Sequence, residues 1–150
     1  RDRSPSRGLG DVYKRQMLNE KINDLDLSDC CYYLGPKTHR ELSELYNQAD
    51  IMIFPTMLYE SLGLVGIEAM ACGCPVIGSD IGCLPEYIKE GITGFLFEPG
   101  NSHELAERIV DFYKLTEKQR NTMRLEAIRY VDKYESRKIS QALINKIKEI

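Results

Sequence analysis

Glu60–Pro75, ESLGLVGIEAMACGCP, sets two glutamates eight positions apart in a segment otherwise made of apolar and small residues. A carboxylate is costly to bury without a partner. Gly63 stands where a helix can begin, which leaves the N–H groups of Gly63, Leu64 and Val65 without intrahelical partners. The helix dipole favours an anion at that end, and a residue without a side chain lets one approach. Gly73, with Pro75 just beyond it, ends the helix. Glu68 lies within the helix among apolar neighbours, so it is expected to be mostly buried and to need donors. The vicinal hydroxyls of a ribose supply two. Glu60 precedes the helix and faces the same crevice from the loop, suited to sugar hydroxyls. The plainer alternative is that these glutamates pair with Lys or Arg, or that Glu68 looks into solvent.

Working outward, Ile51–Pro55 (IMIFP) is a continuous apolar run of the kind found in strands buried on both faces. PVIGSD makes a second strand, LPEYI a short helical turn, and Thr93–Phe97 a last strand. SHELAERIVDFYKL is an amphipathic helix with Ser102 as its expected cap, and two more helices are expected near Glu117–Asp132 and Ser136–Ile150. On the N-terminal side, Cys30–Gly35 (CCYYLG) reads as a short β-prone strand stopped by Gly35-Pro36. Thr38 can cap a helix with Glu41 as its capping-box partner, and Leu42, Leu45, Tyr46 and Ala49 share one face. Met17–Leu27 is a charged helical segment with Leu18, Ile22 and Leu25 at helical spacing. Strands alternating with helices imply an α/β fold, a Rossmann-like parallel sheet flanked by helices. Such sheets bind ligands beyond the carboxyl ends of their strands.

The first sixteen residues read differently. They show no apolar periodicity, and Ser6–Gln16 (SRGLGDVYKRQ) can be back-translated to a stretch that resembles, codon for codon, a transposase-based sequencing adapter. Residues 1–16 are accordingly set aside as a non-native scar, the alternative being a native basic arm. Residues 17–150 form the domain proper, and a junction of this kind implies a native protein that extends upstream of Met17. Without the five Lys/Arg and two Asp/Glu of the scar, the net charge moves from −3 to −6. An acidic chain of this sort is not expected to bind nucleic acid, whose phosphates call for clustered Lys and Arg.

The five cysteines are odd in number, two of them adjacent, and three (Cys72, Cys74, Cys83) lie in apolar or Gly-rich segments. Reduced, structural thiols in a cytoplasmic protein fit this usage better than disulfides or a metal site. No apolar run approaches the roughly 20 residues of a membrane span. His39 and His103, at helix starts, read as surface residues.

The block from Phe54 to Asn101 resembles the donor-binding signature of family-4, GT-B-fold retaining glycosyltransferases. The resemblance runs from about Met17 to Ile150. It rests on the paired glutamates, EAMACGxPV from Glu68, G-x-x-P-E at Gly82–Glu86, and the GxxGFLFEPG turn from Gly91 to Gly100. It implies the C-terminal, nucleotide-sugar-binding lobe of a GT-B fold, truncated at its N-terminus. It implies that Glu60 is the catalytic candidate, contacting the donor sugar, that Glu68 holds the ribose, and that Ser61, Leu62, Gly63, Leu64 and Val65 meet the sugar and diphosphate. The turn Gly35, Pro36, Lys37 and Thr38 would lie against the nucleobase. Two positions depart from the pattern: Ser61 stands where many members have Gly, and Cys83 replaces the second Gly of G-G-x-P-E. An upstream Arg and Lys that neutralise the diphosphate in the family have no match between Met17 and Tyr33.

The resemblance implies a transferase using a nucleotide-sugar as substrate; no cofactor and no metal are expected, because a helix N-terminus with basic residues can replace a divalent ion between the phosphates. The acceptor (a sugar, a lipid-linked or a small molecule) would be met by an N-terminal lobe, and peripheral membrane contact of the parent stays open. The competing readings are a GT-B-fold nucleotide-sugar epimerase and a non-catalytic, flavodoxin-like interaction module that has no need of Glu60 and Glu68 together.

Overall fold

The structure, a computed structural model, describes residues 5–135. The expected helix near Ser136–Ile150 lies outside the described residues. Two units divide the chain, Arg1–Thr38 and His39–Ile150.

In the first unit, helix α1 spans Pro5–Asp24 and runs without a break through Gln16–Met17, the boundary expected from the sequence. Residues set aside by their lack of periodicity are thus helical from Pro5 on. Pro suits a first helical turn, and Arg, Lys, Gln and Leu carry good helix propensity. The expected apolar face is solvated, with Leu18 45% and Leu25 62% exposed. Cys30–Gly35 forms no strand, contrary to its β-prone composition. A strand exists only through a partner's ladder. Here the Cys30 and Cys31 N–H groups instead donate to the Leu27 carbonyl in a local turn, at 3.0 and 2.9 Å.

The second unit opens with α2 (His39–Gln48), directly after Thr38, and continues through β1 (Met52–Phe54), α3 (Leu64–Ala71) and β2 (Val76–Ser79). It then runs through α4 (Leu84–Tyr87), β3 (Gly94–Phe97), α5 (Ser102–Lys114), α6 (Glu117–Val131) and a 3-10 turn at Asp132–Tyr134. The three strands are parallel in the order β1-β2-β3, with Met52 opposite Val76 and Val76 opposite Gly94. All four residues of central β2 are buried. One face of the sheet packs Val76 against Ile67, Met70, Leu84, Tyr87 and Ala127; the other packs Ile77 with Phe95, Phe97, Phe112 and Met123. Helix α6 therefore serves both clusters, through Ala127 and Met123.

Two local expectations are corrected. β1 is not buried on both faces: Ile53 is 39% exposed, while Met52 and Phe54 turn to the core. Second, α5 is capped by Asn101, whose Oδ1 accepts from the Glu104 N–H at 3.1 Å, and Ser102 is its first helical residue. Adjacent Asn and Ser are both good caps, and the amide oxygen reaches the N3 donor one residue earlier. Thr116 and Gln119 close a capping box on α6.

All five cysteines are free; Cys74 and Cys83 are buried, Cys72 is half-buried, and Cys30 and Cys31 are exposed. Burial pushes the Cys74 thiol up to about 11.

Two glycines of the turn into β3 have different reasons to be glycine. Gly91 adopts φ 69° with open space where a side chain would go. Gly94 lies so close to Val76 across the sheet that a Cβ would enter the Val76 carbonyl. Urea unfolding should therefore separate them. Gly91→Ala should lose about 1–2 kcal/mol, the cost of a left-handed alanine, and Gly91→Asn less. Gly94→Ala should lose at least twice the Gly91→Ala figure, because backbone must move apart.

Candidate functional site

Glu60 is placed by its backbone. Gly82, at φ 61°, brings its Cα against that backbone, where a Cβ would stand 2.6 Å from Glu60 O and 2.9 Å from Glu60 N. The Cys83 N–H then donates to Glu60 O at 3.1 Å. The first Gly of G-x-x-P-E is thus a close-approach glycine. The second position has no such demand: Cys83 sits at φ −84°, ψ −9°, ordinary for any residue. The departure noted there leaves the backbone unstrained.

The same segment holds the start of α3. Tyr87 is fully buried, and its hydroxyl donates to Gly63 O at 3.2 Å. A Cβ on Gly63 or Gly66 would meet that hydroxyl at 2.7 or 2.6 Å, so both glycines make room for it. Burial first, then Cys83, Tyr134 and Glu60 nearby, pushes the phenol well above its usual range and keeps it a donor. Gly63 is the N-cap at φ 60°, ψ 48°, with no side-chain cap. The Gly66 N–H bonds back to Gly63 O at 2.9 Å, so the amides ahead of it stand in the orphan positions of a helix start. At the far end the Gly73 N–H donates to Met70 O and the Cys74 N–H to Ala69 O, at 2.9 and 3.0 Å, a Schellman ending with Gly73 at φ 74°.

Glu68 is less buried than its neighbours suggest. Gly66, Ile67, Ala69 and Met70 form the buried side of α3. Leu64 and Val65 are 58% and 45% exposed, and the Glu68 side chain 41%. With 3.6 residues per turn, Leu64, Val65 and Glu68 share the open stripe. Glu68 does not therefore demand a donor to escape burial; water reaches it. Its recorded partner is His39, whose Nδ1 stands 3.9 Å from Glu68 Oε1. His39 is a surface residue as expected, its side chain 92% exposed, but nothing in its local sequence signals that it would face Glu68. These two line a groove of about 260 Å³ between α2 and α3 with Leu42, Ser43, Tyr46 and Cys72. A larger hollow of about 470 Å³ lies by Ile92, Leu115 and Met123, away from either glutamate.

Glu60 and Glu68 thus have different neighbourhoods, Glu60 beside Cys83 and Tyr87, Glu68 beside His39 and Tyr46. Ser61 and Leu62 are exposed between them, and Met57, Leu58 and Tyr59 extend the open apolar surface at 72%, 72% and 82% exposure. Gly35 (φ 68°), Pro36, Lys37 and Thr38 belong to the first unit; Pro36–Thr38 are exposed. The sequence holds one Asp-x-Asp pair, Asp24 and Asp26, at the exit of α1 with Asp26 at φ 54°. Among the described residues no three His, Cys, Asp or Glu side chains gather as metal ligands.

Residues 9–129 match the family described as "Glycosyl transferases group 1". N-acetyl-alpha-D-glucosaminyl L-malate synthase of Bacillus anthracis is 34% identical over 113 residues, 75% of this chain. The chain spans 29% of the length of that relative. HepE of Anabaena, solved in complex with UDP, superposes with a TM-score of 0.84 at 26% identity, over 94% of this chain and 38% of that one. The C-terminal domain of LpcC, a glycosyl transferase group 1 family protein of Francisella tularensis, superposes with a TM-score of 0.70 at 25% identity, covering 89% and 66% of the two chains. The Rossmann-like parallel sheet is accordingly that of one lobe of larger GT-B-fold proteins. The family-4 assignment suggested by the motifs is corrected by the match, which is to group 1. This chain belongs to the glycosyl transferases group 1 family.

Proposed function

We propose that this chain is the donor-binding lobe of a glycosyltransferase that moves a sugar from a nucleoside diphosphate to an acceptor, with retention at the anomeric carbon. In this reading Glu60 contacts the sugar, the backbone from Ser61 to Val65 meets sugar and diphosphate, and Glu68 holds the ribose. The observation that carries the reading is the start of α3. A left-handed glycine opens it, its first amides are in orphan positions, and an exposed stripe of Leu64, Val65 and Glu68 adjoins it. An apolar stripe left open beside a helix N-terminus is what a ligand face needs.

The chemistry follows from those groups. The bond between the anomeric carbon and the diphosphate oxygen breaks, and its electron pair leaves with the diphosphate. The positive end of the helix dipole and its N–H groups stabilise that charge. The acceptor oxygen bonds to the anomeric carbon on the face the diphosphate leaves, and its proton passes to the departing diphosphate oxygen. Orientation and leaving-group stabilisation carry the rate, with no dedicated protein nucleophile. The solved complexes of HepE with UDP and with UDP-glucose make uridine nucleotides the first donors to test. No helix among the described residues is long and apolar enough to cross a membrane; a cytoplasmic site of action, where nucleotide-sugars are at hand, completes the proposal. The acceptor belongs to a part of the protein beyond this lobe.

Calorimetry on the full chain tests the assignments. Glu68→Gln should weaken nucleoside diphosphate binding roughly tenfold to a hundredfold, the loss of a hydrogen bond to a charged group of ~1.5–3 kcal/mol. Unchanged affinity would remove the ribose role.

Glu60→Ala should weaken the sugar-bearing donor while leaving the bare diphosphate within about twofold. Equal weakening of both would make Glu60 structural.

Excess chelator should leave nucleotide affinity unchanged, since helix amides take the place of a divalent cation at the phosphates. Loss of binding restored by manganese would count against the site.

A further inference from the structure

We propose that His39 reads the ribose together with Glu68, its imidazole and the carboxylate sharing one sugar hydroxyl. The inference rests on the ribose role of Glu68 given above and adds a specificity residue to it. His39 is the first residue of α2 and Glu68 the fifth of α3, so two separate elements bring them to one groove. Their facing atoms, Nδ1 and Oε1, are 3.9 Å apart. That is too long for a direct hydrogen bond, which closes at about 2.7–3.2 Å. It suits a shared third atom. A hydroxyl oxygen about 2.8 Å from each would see them at an angle of about 90°, within reach of its lone-pair and O–H directions. Such a hydroxyl donates its hydrogen to the carboxylate and accepts from Nδ1–H. Neither group can play the other's part, because an ionised carboxylate only accepts and the second contact needs a donor.

Two neighbouring polar groups are otherwise engaged, and Tyr46, which also lines the groove, stands about two turns along α2 from His39. Arg40, next along α2, turns to Glu44 at 3.3 Å, and Ser43 Oγ lies 3.4 Å from Cys72 Sγ. His39 is the side chain the geometry points toward Glu68. Its high exposure means that replacing it disturbs little packing.

The test compares ribo- and deoxyribonucleotides on the full chain. Calorimetry with uridine, adenosine and guanosine diphosphates selects the tightest, and its 2′-deoxy and 3′-deoxy forms are then measured with wild type, His39→Ala, His39→Asn and Glu68→Gln. His39→Ala should weaken the ribonucleotide about threefold to tenfold and leave one of the deoxy forms unchanged, so the preference for ribose shrinks. His39→Asn, which offers an amide donor near the Nδ1 position, should recover much of that preference. A merely structural His39 would instead weaken all three ligands alike, and that result overturns the inference. So does an unchanged ribose preference in His39→Ala while Glu68→Gln still weakens binding. If Glu68→Gln has no effect, or none of the three diphosphates binds, the ribose role of Glu68 falls first and this inference falls with it.

Discussion

The contact of Tyr87 with two glycines holds the start of α3 in place. Its ring is fully buried and its hydroxyl ends on the carbonyl of the α3 N-cap, in space left free by Gly63 and Gly66. Five residues earlier, Gly82 presses on the backbone of Glu60. One short segment, Gly82–Tyr87, thereby grips both the loop that carries Glu60 and the first turn of α3. The helix start is held from behind, by a neutral donor on its carbonyl side, and its amide side is left open. Rigid support of this kind lets a backbone site act without reorganising when charge develops.

Much of this was legible because glycine at a fixed spacing has few explanations. Gly63 and Gly73 bracketed α3, and the structure puts both at positive φ. The three strands of the sheet were legible from apolar runs bounded by turn residues. What was not legible depended on partners distant in sequence. Cys30–Gly35 has strand composition, but a ladder is a property of two segments, and local turns took its hydrogen bonds. Ile53 sits in an apolar run like its neighbours, and no pattern in five residues tells an exposed face from a covered one. The choice of Asn101 over Ser102 turned on one residue of register between two good caps.

The site was half legible in the same sense. Glu60 and Glu68 stood out as charges in apolar surroundings, and the inference of burial from those surroundings overreached for Glu68. Gly66, Ile67, Ala69 and Met70 carry the buried side, while the equally apolar Leu64 and Val65 face outward with Glu68. His39 was read by its own helix, where it is an exposed first residue. Its relation to Glu68 crosses from α2 to α3 and is written nowhere in local sequence.

One bond spans the unit more widely than any strand pairing. The Arg124 guanidinium donates to the Ala49 carbonyl at 2.6 Å, 75 positions away, just past the end of α2. A carbonyl at a helix C-terminus has no partner within its own helix, so α2 is finished by a residue of α6. During synthesis at roughly 5–20 residues per second, that partner follows Ala49 by roughly 4–15 s. The helix that carries His39 therefore emerges from the ribosome with its last turn open. It is completed only when α6 arrives, after all three strands have been made. The helix that borders α3 across the groove is thus finished by a residue made after the whole sheet, although its own residues are among the first of the unit to be translated.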